Sequence, residues 1–276
     1  MRDILKGVFI KMSDKNNMMN MEFSELFDAV KDLDTDNLTL PVSDNTVTGL
    51  TKQHLEFFAQ YKELRMMYAC ALKEIKTKFE VLDTEFSVRN SRNPIESIST
   101  RLKTNASIMK KMKKRNVPMT LEGMRENVHD IAGVRVICSY IDDIYMLAEA
   151  LKSQNDITLV SEKDYIKNPK PTGYRSLHLV VSVPVFFANN KTDMTVEVQI
   201  RTIAMNFWAS LEHEMKYKRA ISANDDVSMQ LRSCAETIAE VDQKMLSIRK
   251  NIDKKYMPTE TELLLKKLQK KSYALI

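Results

Sequence analysis

Neither a GxxxxGKS/T stretch nor a GxGxxG stretch occurs, and the 276 residues include only five glycines. A P-loop and a Rossmann phosphate cradle are therefore excluded, so any polyphosphate has to be held by side chains. No apolar run reaches the roughly eighteen residues of a membrane-spanning helix, so no membrane partner is expected. The opening MRDILKGVFI lacks the long apolar core and small-residue cleavage site of a secretory signal. Cys70, Cys138 and Cys234 lie far apart, with no CxxC. That scatter argues against zinc and for free thiols in a reducing compartment, which points to the cytoplasm.

Basic charge is present but unevenly spread. The net charge is +5. Residues 13–50 hold eight acids against two lysines, whereas RLKTNASIMKKMKKR (101–115) holds seven basic residues and no acid. Such a block meets phosphate or forms a solvated helix face.

The chain divides into an acidic extension (1–50), a mixed domain (51–220) and a helical C-terminal region (221–276). Asp32, Asp34, Asp36, Pro41 and Asp44 break any long period in the extension, which is expected to be partly disordered. Leu55, Phe58, Tyr61, Leu64, Tyr68, Leu72, Ile75 and Phe79 recur at three- and four-residue steps, predicting one long helix with its aromatics in the core. Residues 97–115 read as a basic helix whose start falls between Ser97 and Thr104, and 121–129 as a short one. Strands are predicted at 133–140, 157–162, 177–183 and 194–201, with helices at 142–154 and 202–217. A long strand-to-strand connection is expected at 184–193. The fold class is α+β, a mixed β-sheet flanked by helices. Leu231, Cys234, Ile238, Val241, Met245, Ile248 and Ile252 form a heptad-like seam that would dock on this chain or on another subunit.

Alternation sorts faces within a strand. In MTVEVQIR, Glu197, Gln199 and Arg201 point away from Val196, Val198 and Ile200. Tyr174, Ser176 and His178 share a parity in KDYIKNPKPTGYRSLHLVV. If the two strands share a sheet, both polar rows line one cleft. Asp130 stands at the entry to a strand. With Glu197 it can hold magnesium, a hard ion that takes a few carboxylates plus phosphate oxygens. The His129–Asp130 dipeptide also invites comparison with metal-dependent HD phosphohydrolases, which need further His and Asp ligands.

VHDIAGVRVIC, KDYIKNPKPTGYRSLHLVV, VEVQIRTIAMNFWASLEHEMKYK and RLKTNASIMKKMKK closely resemble the small alarmone synthetases of the RelA/SpoT synthetase family, most of all the RelQ type. The resemblance spans roughly residues 58–250. It implies a nucleotidyltransferase-like synthetase fold and a GTP pyrophosphokinase. Such an enzyme moves the β,γ-pyrophosphate of ATP to the 3′-hydroxyl of GDP or GTP, making (p)ppGpp in the stringent response. It implies magnesium on Asp130 and Glu197, with Glu197 placed to activate the hydroxyl. It assigns Arg101, Lys103, Ser107, Lys111, Lys114 and Arg135 to ATP. It assigns Tyr174 to guanine stacking, and Lys163, Lys170, Arg175, His178 and Gln199 to the rest of the GDP/GTP side. It further implies synthesis without hydrolysis, a homotetramer, and regulation by alarmone or RNA, with Ser97, Ser99 and Asn206 as regulatory contacts. His213 reads as structural. Lys114 stands where the RelQ type often has arginine, and residues 1–50 match no part of the family. Two alternatives are a single-stranded RNA-binding module, using Tyr174, His178 and the 101–115 cations, and an inactive synthetase homologue.

Overall fold

The computed structural model describes residues 52–89, 92–218 and 226–255. The acidic extension, most of the two short connections and the KKLQKK tail lie outside them.

A long helix, α1 (Lys52–Arg89), precedes an edge strand, β1 (Ile95–Leu102). Helices α2 (Asn105–Arg115) and α3 (Leu121–Asn127), strand β2 (Ala132–Cys138), helix α4 (Ile141–Lys152) and strand β3 (Thr158–Asp164) follow. Strands β4 (Leu177–Phe186) and β5 (Lys191–Thr202) then lead into α5 (Ile203–Lys218) and α6 (Asp226–Lys255). The five strands lie in the order β1-β2-β5-β4-β3; β2 and β5 are parallel and every other pair is antiparallel. This is the expected mixed sheet flanked by helices.

The core explains the assembly. Tyr61, Tyr68, Ile75 and Phe79 of α1 are fully buried and share one cluster with Ile144 and Leu147 of α4 and the apolar face of the sheet. Val134, Val136, Val198 and Ile200 supply that face; Val134 lies opposite Val198, and Val136 opposite Ile200. Burying such β-branched rows fixes register, because a one-residue slip would turn every valine to the polar side. At the β1–α2 corner, Tyr61 bonds Asn105 and Arg65 donates to the Lys103 carbonyl.

Two local expectations are corrected. The basic helix does not reach back to 97 but is capped at Thr104, the late end of its expected start: residues 97–102 belong to β1, paired antiparallel with β2. Ile95, Ile98, Thr100 and neighbouring serines suit a pleated edge, and Thr104 caps the helix by accepting from Ser107 N, so helical geometry starts at Asn105. Nor is 184–193 a long connection. β4 runs to Phe186 and β5 starts at Lys191, leaving a tight hairpin. Pro184 is tolerated because β3 pairs with β4 only as far as Ser182, so the proline lies past β3.

α6 docks through Ala235, Asp242 and Leu246, all buried, with Thr202 Oγ1 donating to Asp242 and Arg249 pairing with Asp142. The predicted seam divides: Leu231 and Ile238 pack against the Trp208 and Ala235 cluster, whereas Val241, Met245, Ile248 and Ile252 are each about half exposed.

Candidate active site

The sheet register assembles the polar residues. Arg135 lies opposite Gln199 across β2 and β5, Gln199 opposite His178, and His178 opposite Lys163, so one row crosses four strands. In the adjacent row Arg101 faces Gly133, which faces Glu197. Directly opposed residues project to the same side of a sheet. The two rows floor a cleft of about 540 Å³, and Asp130, entering β2, lies on its wall.

The two carboxylates differ in setting. Asp130 Oδ2 receives Lys103 Nζ at 2.9 Å and Lys111 Nζ at 2.7 Å, while its buried Oδ1 has no protein partner. Burial alone would raise this carboxyl, but Lys111 and Lys103 outweigh it and hold the group below the usual carboxylate range. Glu197 accepts from Gln199 Nε2 at 2.8 Å, and its Oε1 lies 3.4 Å from His178 Nδ1. Burial again pushes upward; His178 and Gln199 prevail, and Glu197 too is held low. Both are anions at neutral pH.

An aromatic wall faces them. Tyr174 Oη lies 2.7 Å from His178 Nε2, so the imidazole spans phenol and carboxylate. Tyr165 packs edge-on against both rings. Lys170 Nζ sits 4.6 Å from the Tyr165 centroid and 4.7 Å from that of Tyr174. Burial, with Lys163 and Arg201 adding to it, lowers the Lys170 ammonium despite the pull of Glu197. Burial, then the charges of Arg201 and Arg101, also lowers Arg135. Cations crowded this closely are stabilised by an anion between them.

Residues 100–222 match the region found in RelA / SpoT proteins. The chain is 42% identical over 193 residues to the GTP pyrophosphokinase YwaC of Bacillus subtilis, covering 70% of this chain and 92% of that protein. It is 36% identical over 190 residues to the GTP pyrophosphokinase YjbM of the same organism, covering 69% and 89%. The chain belongs to the RelA/SpoT family. Its fold agrees: the small alarmone synthetase 1 of Bacillus subtilis, solved with its product pppGpp, superposes with a TM-score of 0.65 at 35% identity over 70% of this chain and 98% of that one. Small alarmone synthetase 2 of that organism gives 0.63 at 42% identity over 69% and 98%.

In this RelA/SpoT protein the cleft is lined by Arg101, Lys111, Lys163, Lys170, Tyr174 and His178, together with Gln199 and the two carboxylates. Lys103 is tied to the Asp130 wall, and Arg135 stands in the Gln199 row. These two adjoin the lining without forming part of it, and three further expected residues, Ser107, Lys114 and Arg175, lie away from it. Ser107 is exposed, its hydroxyl accepting from Thr104 at the start of α2, and Lys114 is exposed on the same helix. Arg175 turns away, donating to the carbonyls of Gly173 and Ala235 at 3.1 Å each. The cause is close packing. Gly173 has φ +89°, and a Cβ there would come within 2.5 Å of Ala235 Cβ, so α6 presses directly on the turn that presents Tyr174.

Sequence reasoning passed over Tyr165 and Glu212, which line the cleft; it counted Arg115 only within the basic block and Arg201 only in the polar row of its strand, and gave neither a role, although Arg115 lines the cleft and Arg201 underlies it. It considered His129 only in the HD reading. Burial, then Arg115 and Lys111, lowers the His129 imidazole, and its Nδ1 has no partner. Among the described residues no three His, Cys, Asp or Glu side chains converge as metal ligands, so this His-Asp pair is not part of the cluster an HD centre requires. Ser97 and Ser99 are exposed on β1, and Asn206 Oδ1 on α5 is buried without a partner.

Proposed function

We propose that this chain is a GTP pyrophosphokinase of the small alarmone synthetase type, acting in the stringent response. It transfers the β,γ-pyrophosphoryl group of ATP to the ribose 3′-hydroxyl of GDP or GTP. The 3′-oxygen bonds to the β-phosphorus, the bond from that phosphorus to the α,β-bridging oxygen breaks, and AMP leaves with (p)ppGpp as product. One observation carries the reading: a half-buried carboxylate, Glu197, lies between a cationic wall and the Tyr174–His178 pair in one cleft.

Phosphoryl chemistry asks a protein for alignment and charge neutralisation more than for covalent help. Arg101, Lys103, Lys111 and Arg135 supply the cations for ATP, and Lys163 and Lys170 supply those for the acceptor phosphates. Glu197 takes the 3′-hydroxyl proton, and the His178 contact orients it. The Tyr174 ring stacks on guanine. The partnerless Asp130 Oδ1 and the neighbouring Glu197 carboxylate form an all-oxygen donor set that suits magnesium. Asp130 and Glu197 would hold the ion, which when bound screens the charge developing on the phosphates.

The test is incubation of purified protein with γ-labelled ATP, magnesium and GDP or GTP, followed by chromatography. A labelled (p)ppGpp product is expected. Its absence with a folded protein and several acceptors would move the reading to a binding role, in which RNA affinity falls steeply with salt. Within the synthetase reading, Tyr174→Ala is expected to raise the acceptor KM about tenfold, since stacking on an aromatic contributes about 1–3 kcal/mol per base. An unchanged acceptor KM would contradict the stacking role.

The exposed apolar stripe on α6, with Ile203, Phe207, Leu211 and Met215 exposed at four-residue steps on α5, supports assembly of several copies, a tetramer by family resemblance. Sedimentation velocity is expected to give a species larger than the monomer, reduced to the monomer in Met245→Glu/Ile248→Glu. A monomeric parent protein would refute assembly. Alarmone or RNA regulation through Ser97, Ser99 and Asn206 belongs to the same reading. It predicts that added pppGpp changes the turnover of the parent protein, and equal stimulation of Asn206→Ala would remove that contact.

A further inference from the structure

A second cavity of about 340 Å³ lies between α1, α3 and the start of β5 and shares no lining residue with the active-site cleft. Tyr68, Thr195, Arg125, Glu122, Glu126 and Asp193 line it. Its volume falls within the lower range of small-ligand sites.

Tyr68 is the informative residue. It is 0% exposed and belongs to the apolar face of α1, a place where phenylalanine would serve packing equally well. Its hydroxyl nevertheless has no hydrogen-bond partner. Burial raises the phenol, and Thr195 and Arg125 are near enough to oppose that shift, but neither hydroxyl nor guanidinium meets Oη at hydrogen-bonding distance and angle. A buried unpaired donor costs about 1–3 kcal/mol, so a phenol kept in this setting calls for a partner that the fold itself does not provide.

The rim adds charge of both signs. Among the described residues, Glu122, Glu126 and Arg125 are exposed and make no ion pair with one another, and Asp193 is held only loosely by Lys191 at 3.7 Å. Three carboxylates answered only by the loose Lys191 contact attract an ammonium group, and the Arg125 guanidinium, in no ion pair among the described residues, matches a carboxylate in bidentate geometry. A plain dication would leave Arg125 opposed to it, and a simple anion would face the acids. A ligand carrying both charges satisfies every group.

We propose that this cavity binds a small zwitterion of the amino-acid class. The Tyr68 hydroxyl and Arg125 meet its carboxylate, and Glu122, Glu126 and Asp193 meet its ammonium. The site lies along β5 from Glu197, with Thr195 two positions before the catalytic carboxylate, yet it stands independently of the reaction proposed above.

Saturation-transfer NMR and calorimetry on the full chain test this, with each standard amino acid as probe and putrescine and acetate as single-charge controls. At least one amino acid is expected to bind, more tightly than either control. Tyr68→Phe, which preserves the packing, and Arg125→Met are each expected to weaken that binding at least about tenfold, the loss that follows from removing one hydrogen bond to a charged group. Glu122→Gln/Glu126→Gln, altered only at exposed positions, is expected to do the same. Unchanged melting and unchanged nucleotide binding separate these losses from misfolding. No binding by any amino acid overturns the proposal. So does binding that survives all three variants, or putrescine binding as tight as the amino acid's and indifferent to Arg125→Met.

Discussion

Glu197→Gln is expected to lower kcat about a thousandfold while leaving both nucleotide KM values within a few-fold, the range general-base removal produces. The substitution keeps the shape of the side chain and one of its two oxygens, so of the Gln199 and His178 contacts, which fall on different oxygens, one keeps its acceptor. In the proposed mechanism, what disappears is the ability to take a proton from the 3′-hydroxyl. The folded protein prepares that ability at some cost, since burial works against the charge and neighbouring donors restore it. Rapid-quench measurement of a single turnover isolates the chemical step. A kcat within tenfold of the parent, with the same product, would limit Glu197 to orienting the substrate.

The part of the site built on period two was readable in advance. Glu197 and Gln199 alternate with buried valines, and only the β4 partner had to be guessed; the Val180–Glu197 and His178–Gln199 pairs bear it out. The α1 core was readable for the matching reason at period three to four. What stayed hidden depends on contacts between distant segments. The seven cations of 101–115 suggested a single helix, yet the capping oxygen of Thr104 divides them, and Arg101 reaches the cleft from a strand. Arg175 looked equivalent to its neighbours in a basic loop; the approach of α6 to Gly173 and Ala235 turned it away. Ser107 and Lys111 share a helical face by spacing, but only Lys111 meets Asp130. No local pattern reveals that Tyr165 closes the aromatic wall, because its partners Tyr174 and His178 are brought to it by the β3–β4 pairing.

Arg201 shows the same limit and carries the second large effect. By alternation it belongs with Glu197 and Gln199 on an open polar row, but it is only 4% exposed. Its guanidinium donates to Tyr174 Oη, to Gln199 Oε1 at 2.8 Å and to Ser176 Oγ at 3.3 Å, and lies 5.0 Å from the Tyr174 centroid. One cation thus holds the stacking ring from behind, fixes the amide that donates to Glu197, and ties β4 to β5. Arg201→Met removes three donated hydrogen bonds at once, from acceptors that are buried in Ser176 and half-buried in Tyr174 and Gln199. Each orphaned group costs about 1–3 kcal/mol, so a loss of kcat/KM for the acceptor of about a hundredfold or more is expected, together with a lower melting temperature. Stability loss alone would reduce the active fraction and lower kcat for both substrates without moving either KM. A positioning role instead raises the acceptor KM and leaves the ATP KM near the parent value. Arg201→Lys sharpens the distinction: it retains the charge without the planar fork, so part of the fold stability returns while the acceptor KM stays high. If Arg201→Lys matched the parent in acceptor KM, charge alone would suffice and the fork would have no part in holding the tyrosine.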